Sequence, residues 1–574
     1  MFAVPPRPNI PAKSSHGSGL TVLACGGIAT AACLVYSNSF SGPFVLDDSG
    51  AIVHNETIRS LWNSAILTAP PAGTTVSGRP LLNFSLAVNY ALSGERVWSY
   101  HLFNLAIHIL AGCTLFGIVR RTLERRKGES SLFCALAVAL IWTVHPLQTQ
   151  AVTYIVQRAE SLMGLFYLLT LYCFIRATES EGEMKGTGAW LWKGLSLTAC
   201  LAGMATKEVM VTAPVMVLLY DRTFLAGSYR EAWKRRRGLY VALASTWILL
   251  AFLVASTGGN RSGTSGFNVG VPWRDYWLTQ FEAVVRYLGL CFWPRPLIFE
   301  YGTFWVRHFS EAAPYALIVL PLAAVIVVAL MRPARPDSSG IAPVVGFLGA
   351  WFFGILSVTS VIPGIYQMIV EHRMYLPLAA VVTGTVLGLW RTFGRPVLLA
   401  SLAGAVALGC ATYERNADYA TAVSLWQDTV NKRPENETAE TSLAIALFSA
   451  GRMAEAIPHY ERALKMKPDA TDTLNDAGVA LLSVGRKKEG IAHLQHASRL
   501  EPDVPQYHYN LATGLAADGQ LEEAIAQFRE AIRLKPDYAS AHLRLGLALW
   551  MTGHTQEAIL ERGEGQRLQG TASH

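Results

Sequence analysis

Between residues 20 and 412 the chain alternates long apolar runs with short polar connections, and the runs have the length of membrane-crossing helices. A helix needs about 20 mostly apolar residues to cross a bilayer. The pattern predicts spans at 20–40, 101–119, 131–145, 160–176, 189–205, 209–221, 238–256, 312–331, 342–362, 374–390 and 396–412, about 11 in all. Residues 1–19, rich in Pro and Ser, are expected to form a disordered tail. No small-residue cleavage site follows the first run, so it reads as a retained helix and not as a signal peptide. Residues 275–296 are apolar enough to suggest a further span, but they carry Glu282, Arg286 and Arg295 and read as a re-entrant or interfacial helix.

Past residue 413 the pattern changes. Pro434, Pro468, Pro502 and Pro536 recur at a step of 34 residues, as do Gly451, Gly485, Gly519 and Gly553. Small residues recur in phase at Ala422, Ala456, Gly490, Ala524 and Ala558, each followed four positions later in most units by a large one: Trp426, Tyr460, Leu494 and Phe528. A 34-residue period of paired helices is the tetratricopeptide signature. Small residues let two helices approach, large ones fill the groove, and neighbouring units must stack to bury their apolar faces. The sequence therefore predicts an all-α protein: a polytopic helical membrane domain over 20–413, with a long external loop at 41–100, followed by a tetratricopeptide α-solenoid over 414–570.

Composition agrees. Hydrophobic residues are 51% of the 574 and charged residues 16%, against about 25% charged in ordinary soluble domains. Mean hydropathy is +0.29. These values exclude a disordered chain. The net charge of +7 does not point to nucleic acid, because the basic residues sit in short clusters between apolar runs. One cluster holds Arg120, Arg121, Arg125, Arg126 and Lys127, and another Arg230, Lys234, Arg235, Arg236 and Arg237. Arg332 with Arg335, and Arg391 with Arg395, are smaller clusters. All four fall on one side if the N-terminus is cytoplasmic, which puts the repeats in a periplasm or, in a eukaryote, the lumen of the endoplasmic reticulum. The short loops and few repeats favour a bacterial inner membrane. The eight cysteines lie mostly inside apolar runs, with no Cys-x-x-Cys pair, so neither a disulfide framework nor a zinc site is expected.

The external connections at 41–100, 146–159, 206–208, 257–311 and 363–373 then carry the candidate chemistry. Asp47 and Asp48 follow the first span directly. A carboxylate just outside the bilayer can take a proton from a hydroxyl while a membrane-anchored donor lies beside it. The same Asp-Asp-Ser-Gly run is also ordinary turn chemistry. On the same side lie Arg79, His145, Arg158, Glu160, Lys207, Glu371, His372 and Arg373. Arg and Lys suit a phosphate, although any one of them could be a snorkelling side chain at the interface. No Walker loop, dinucleotide fingerprint or metal-ligand spacing is present, so no metal or soluble cofactor is expected.

These residues carry a resemblance. Asp47-Asp48 after the first span, Arg79-Pro80-Leu81, His145-Pro146-Leu147, the stretch from Gln157 to Leu162, Lys207-Glu208 and the stretch from Glu371 to Pro377 resemble the transmembrane and tetratricopeptide repeat-containing proteins. Those belong to the GT-C superfamily of glycosyltransferases, with the protein O-mannosyltransferases. The resemblance implies transfer of a sugar, mannose expected, from a polyprenyl-phosphate donor to a Ser or Thr hydroxyl of an extracytoplasmic protein. It implies inversion at the anomeric carbon and an external-loop Asp as general base, here Asp47 or Asp48 with a slight preference for Asp48. Arg373, Lys207 and Arg158 would hold the donor phosphate, with Arg79, His145, Glu160, Glu371 and His372 shaping the site. The partners implied are the lipid-linked sugar, membrane lipid and an acceptor polypeptide selected by the repeats. Gln157-Arg158-Ala159-Glu160 departs from the family's Gly-Arg-Ala-Asp. A non-enzymatic scaffold would leave the number of spans unexplained, and a transporter would favour mid-span charges and inverted symmetry.

Overall fold

The computed structural model describes residues 16–68, 70–126, 131–181, 187–259, 266, 270–333, 340–364 and 368–571. The expected tail lies outside them except for 16–19, which already belong to the helix His16–Val35. Lys127 and Arg335 also lie outside them. The chain divides into two compact units, 1–299 with 303–421 and 300–302 with 422–574. Both are built from helices, with no strand among the described residues.

Among the described residues of the first unit seven helices are long and apolar enough to cross a membrane, or eight if the bent pair Ser131–Val144 and Pro146–Thr153 is one span. The count expected from the sequence was higher. The other three expected segments are helices His16–Val35, Thr187–Met204 and Pro377–Phe393, of 20, 18 and 17 residues, and they do not reach that criterion. The bend of 54° in the third span has a local cause. Pro146 has no N–H to continue the ladder, and His145 Nδ1 instead accepts the Leu147 N–H at 3.2 Å to start a new turn. Helix Val97–Arg125 has 29 residues, about 43 Å at the α-helical rise, so it overshoots a hydrocarbon core of about 30 Å and carries its terminal arginines beyond it. Phe309–Met331 exposes Leu317, Ile318, Leu320, Val325, Val327 and Val328, as a helix facing lipid does. Trp273–Phe292 is not among the spanning candidates. Its Tyr276, Gln280, Val284 and Tyr287 are buried while Trp273, Trp277 and Phe292 are exposed, a two-faced helix suited to an interface.

Among its described residues the second unit stacks nine helices, from Ala422–Lys432 to Thr555–Thr571. Gly451, Gly485, Gly519 and Gly553 all have φ between 76° and 87°, the left-handed conformation that ends a helix without a Cβ clash. Leu494, Phe528, Ala524 and Ala558 are in the core, as the 34-residue phase requires. Gly490 marks a close approach of two helix backbones: a Cβ there would lie 2.8 Å from the Gly478 carbonyl oxygen.

Candidate active site

The segment after the first helix turns sharply. Leu46 has φ +46°, a left-handed conformation that a branched side chain rarely adopts. It is followed by two adjacent aspartates with different surroundings. Asp48 is fully buried, and its carboxylate accepts the N–H groups of Val45 at 3.0 Å and Val156 at 2.7 Å. It ties the loop to the chain just before the fourth span. Burial pushes its carboxyl up to about 8, against the pull of those two donors. Asp47 is half-buried. Its N–H donates to Tyr154 Oη at 2.9 Å, and Thr75 Oγ1 donates to its Oδ2 at 3.2 Å.

Thr75 connects Asp47 to a group of cations. Its carbonyl accepts Arg79 Nη1 at 3.0 Å, and Arg79 Nη2 reaches Glu208 Oε2 at 2.8 Å. Arg79 is buried, and its Nε–H has no hydrogen-bond partner among the described residues. Next in the chain to Glu208, Lys207 donates to Glu160 Oε1 at 2.7 Å, both side chains being almost wholly buried. Burial brings the Lys207 ammonium down to about 8, although Glu160 holds it up. Lys207, Arg79 and Glu208 line a narrow cleft. Glu160 and Arg373 line a second narrow cleft with Thr359 and Leu376. The Lys207–Glu160 pair thus has one member on each cleft. Burial would lower Arg373, but Tyr276, Tyr287 and Glu160 hold it above its ordinary value. His372 sits well below its ordinary value because it is buried and because Lys207, Arg373 and Arg79 are close. It is therefore neutral, with its N–H and ring Nδ1 both on Gln150 Oε1, at 2.9 and 3.1 Å.

The structure brings Asp47, Arg79, Glu160, Lys207, His372 and Arg373 into one connected set. Other residues expected in the site have structural partners instead. The Arg158 guanidinium, expected at the donor phosphate, is engaged by protein partners in this structure. The side chain is fully buried, with Nε on Asn104 Oδ1 at 2.6 Å, Nη1 on the Ser85 carbonyl at 3.0 Å and Nη2 on the Tyr100 carbonyl at 3.1 Å. His145 caps its turn and places Nε2 3.1 Å from the Cys291 carbonyl. Glu371 accepts the Ile298 N–H. Thr75, Tyr154, Gln150 and Tyr276 were not singled out from the sequence. No motif marks them, and their roles come from contacts between distant segments.

Two predictions follow from these partners. Arg158→Met loses charge-assisted hydrogen bonds worth about 1.5–3 kcal/mol each, so the melting temperature in detergent falls while any donor affinity of the folded fraction is kept. A melting temperature equal to wild type would refute the structural role. The Asp48 carboxyl is raised in the folded chain relative to the unfolded one, so its contribution is complete below the ordinary carboxylate range and is lost as pH rises through about 8. Stability should decline across that interval, and Asp48→Asn should flatten the decline.

The class defined by this architecture is a polytopic membrane protein with a buried polar site at one end of its helices, followed by tetratricopeptide repeats. Residues 77–256 match the dolichyl-phosphate-mannose-protein mannosyltransferase family, and tetratricopeptide-repeat families match 412–471, 447–513 and 515–553. The first match contains Arg79, Glu160 and Lys207 but not Asp47 or Arg373. Among curated proteins the chain is similar to "Protein O-mannosyl-transferase TMTC2" of Mus musculus, 30% identical over 198 residues, covering 33% of this chain and 22% of that protein. It is also similar to "Protein O-mannosyl-transferase Tmtc2" of Drosophila melanogaster, 26% identical over 328 residues, covering 53% of this chain and 33% of that one. The chain is thus TMTC-like, and it spans a third or less of the length of these two relatives. Among solved structures, "Crystal structure of MamA" matches with a TM-score of 0.26 and 19% identity, covering 28% of this chain and 92% of that one.

Proposed function

We propose that the protein is a membrane glycosyltransferase that moves a sugar, mannose by similarity, from a polyprenyl-phosphate donor to a Ser or Thr hydroxyl of an extracytoplasmic polypeptide. The observation that carries this reading is the hydrogen-bond link of Asp47, through Thr75, to Arg79, which together with Lys207 and Arg373 acts on His372. The match of 77–256 to the mannosyltransferase family supports it independently.

Asp47 is the base in this proposal and Asp48 positions it, which reverses the slight preference read from the sequence. Asp48 spends its carboxylate on two backbone N–H groups, whereas Asp47 remains part-exposed. The Asp47 carboxylate takes the proton of the acceptor hydroxyl as its oxygen attacks the anomeric carbon. The bond from that carbon to the phosphate oxygen breaks with inversion, and polyprenyl phosphate leaves with the electron pair. The cations stabilise the charge that grows on the leaving phosphate. The unpartnered Nε–H of Arg79 is one donor available for it. Arg373 and Lys207 are the other two groups we assign to the phosphate, and Glu160 orients Lys207. The repeats would select the acceptor polypeptide on their concave face.

The test is transfer of labelled mannose from polyprenyl-phosphate mannose to protein, in membranes with and without this chain. Label that depends on the chain supports the reading, and equal label in both membranes ends it. The same reading puts the site and the repeats outside the cytoplasm, so alkaline phosphatase fused after Pro434 should be active in a bacterial host. An inactive fusion would invert the orientation.

A further inference from the structure

Gln280 is buried without any visible use for its polar group. It is 6% exposed, and neither its Oε1 nor its Nε2 has a hydrogen-bond partner among the described residues. A buried carboxamide with both ends unmet is costly and is rarely retained without cause. Its place on the helix Trp273–Phe292 suggests the cause. Tyr276 lies one turn before it and Tyr287 two turns after it, on the same face. Both tyrosines act on Arg373. The Tyr276 hydroxyl also donates to the carbonyl of Thr359, which lines the cleft of Arg373 and Glu160. Gln280 therefore shares the helix face whose two tyrosines act on Arg373.

We infer that Gln280 is a specificity-determining residue that hydrogen-bonds a hydroxyl of the donor's sugar. This rests on the proposed transferase activity and extends it to the recognition of the sugar itself. The argument is one of matching valence. A phosphate oxygen only accepts, so it would satisfy Nε2 and leave Oε1 bare. A sugar hydroxyl both donates and accepts, and neighbouring hydroxyls can meet both ends of the carboxamide at once. Arg373, which the tyrosines on either side of Gln280 act on, supplies the charge for the phosphate, and a neutral carboxamide on that face suits the adjoining sugar.

The experiment compares the full chain with Gln280→Leu and Gln280→Met in detergent, by thermal shift with two probes: polyprenyl-phosphate mannose and polyprenyl phosphate without sugar. Wild type should be stabilised more by the sugared lipid. Both variants should lose that excess, keep the shift given by the bare phosphate, and melt without lipid at or above the wild-type temperature, because an unmet amide has been removed. Transfer should fall roughly 2- to 10-fold, the equivalent of one lost hydrogen bond to substrate. The inference is overturned if the variants keep the sugar-dependent excess, if wild type responds equally to both lipids, or if both variants melt lower or fail to fold, which would mark Gln280 as a packing residue. A wild-type chain that responds to neither lipid would instead bring down the transferase reading, and this inference with it.

Discussion

Asp47→Asn is expected to lower labelled-sugar transfer by about 10²–10⁴-fold, the usual contribution of a positioned general base, with the chain folded and the donor still bound. The amide keeps the shape of the carboxylate and can still accept from Thr75 Oγ1, so the loop has no reason to move. What it cannot do is hold the proton of the incoming hydroxyl. The measurement is the rate of transfer at saturating donor, beside the melting temperature of the same preparation. Wild-type rates from the variant would remove Asp47 from the mechanism. Asp48→Asn is the comparison, since its effect should appear in the pH dependence of stability.

The second large effect concerns Lys207 and Glu160. Lys207→Met leaves the Glu160 carboxylate buried without its partner, and removing one member of such a pair costs about 3–5 kcal/mol. Glu160→Gln should be costly for the same reason, with Lys207 now alone. The double variant removes both charges, so its melting temperature should return most of the way to wild type. Transfer should not return, because Lys207 is one of the cations proposed to meet the departing phosphate. Recovery of transfer together with stability would show that the pair is purely structural. The readouts are thermal unfolding in detergent and the transfer assay, run on all three variants.

Much of the fold was legible in the chain itself. Spans such as Val97–Arg125 and Phe309–Met331 announce themselves because lipid tolerates only long apolar helices, a constraint that is local in sequence. The repeats are legible because Gly451, Gly485, Gly519 and Gly553 must all take the same left-handed turn, and a requirement met every 34 residues leaves a period. The sequence ended the third span at 145, and the bend that carries the chain on to Thr153 came only from the structure. The number of spans was less secure, because His16–Val35, Thr187–Met204 and Pro377–Phe393 are helices whose apolar length falls short of the others.

The candidate site was legible as a set of residue types and not as an arrangement. Arg158 and Lys207 looked alike as cations near the ends of spans. Folding commits Arg158 to Asn104, Ser85 and Tyr100, while Lys207 meets Glu160 beside the two clefts. Asp47 and Asp48 are neighbours with opposite surroundings, decided by the turn at Leu46 and by the N–H of Val156, more than a hundred residues away. Gln280 carried no motif at all, and it stands out only once burial leaves its amide unmet.

The order of the amino acids by itself determined that this is an all-helical membrane chain ending in 34-residue repeats, because apolar length and turn chemistry act within a few residues of one another. Only the tertiary structure decided which carboxylate is left part-exposed, which arginine is consumed by carbonyls and which polar groups share a cleft. Those outcomes depend on hydrogen bonds and burial between segments far apart in sequence, and no local pattern encodes them.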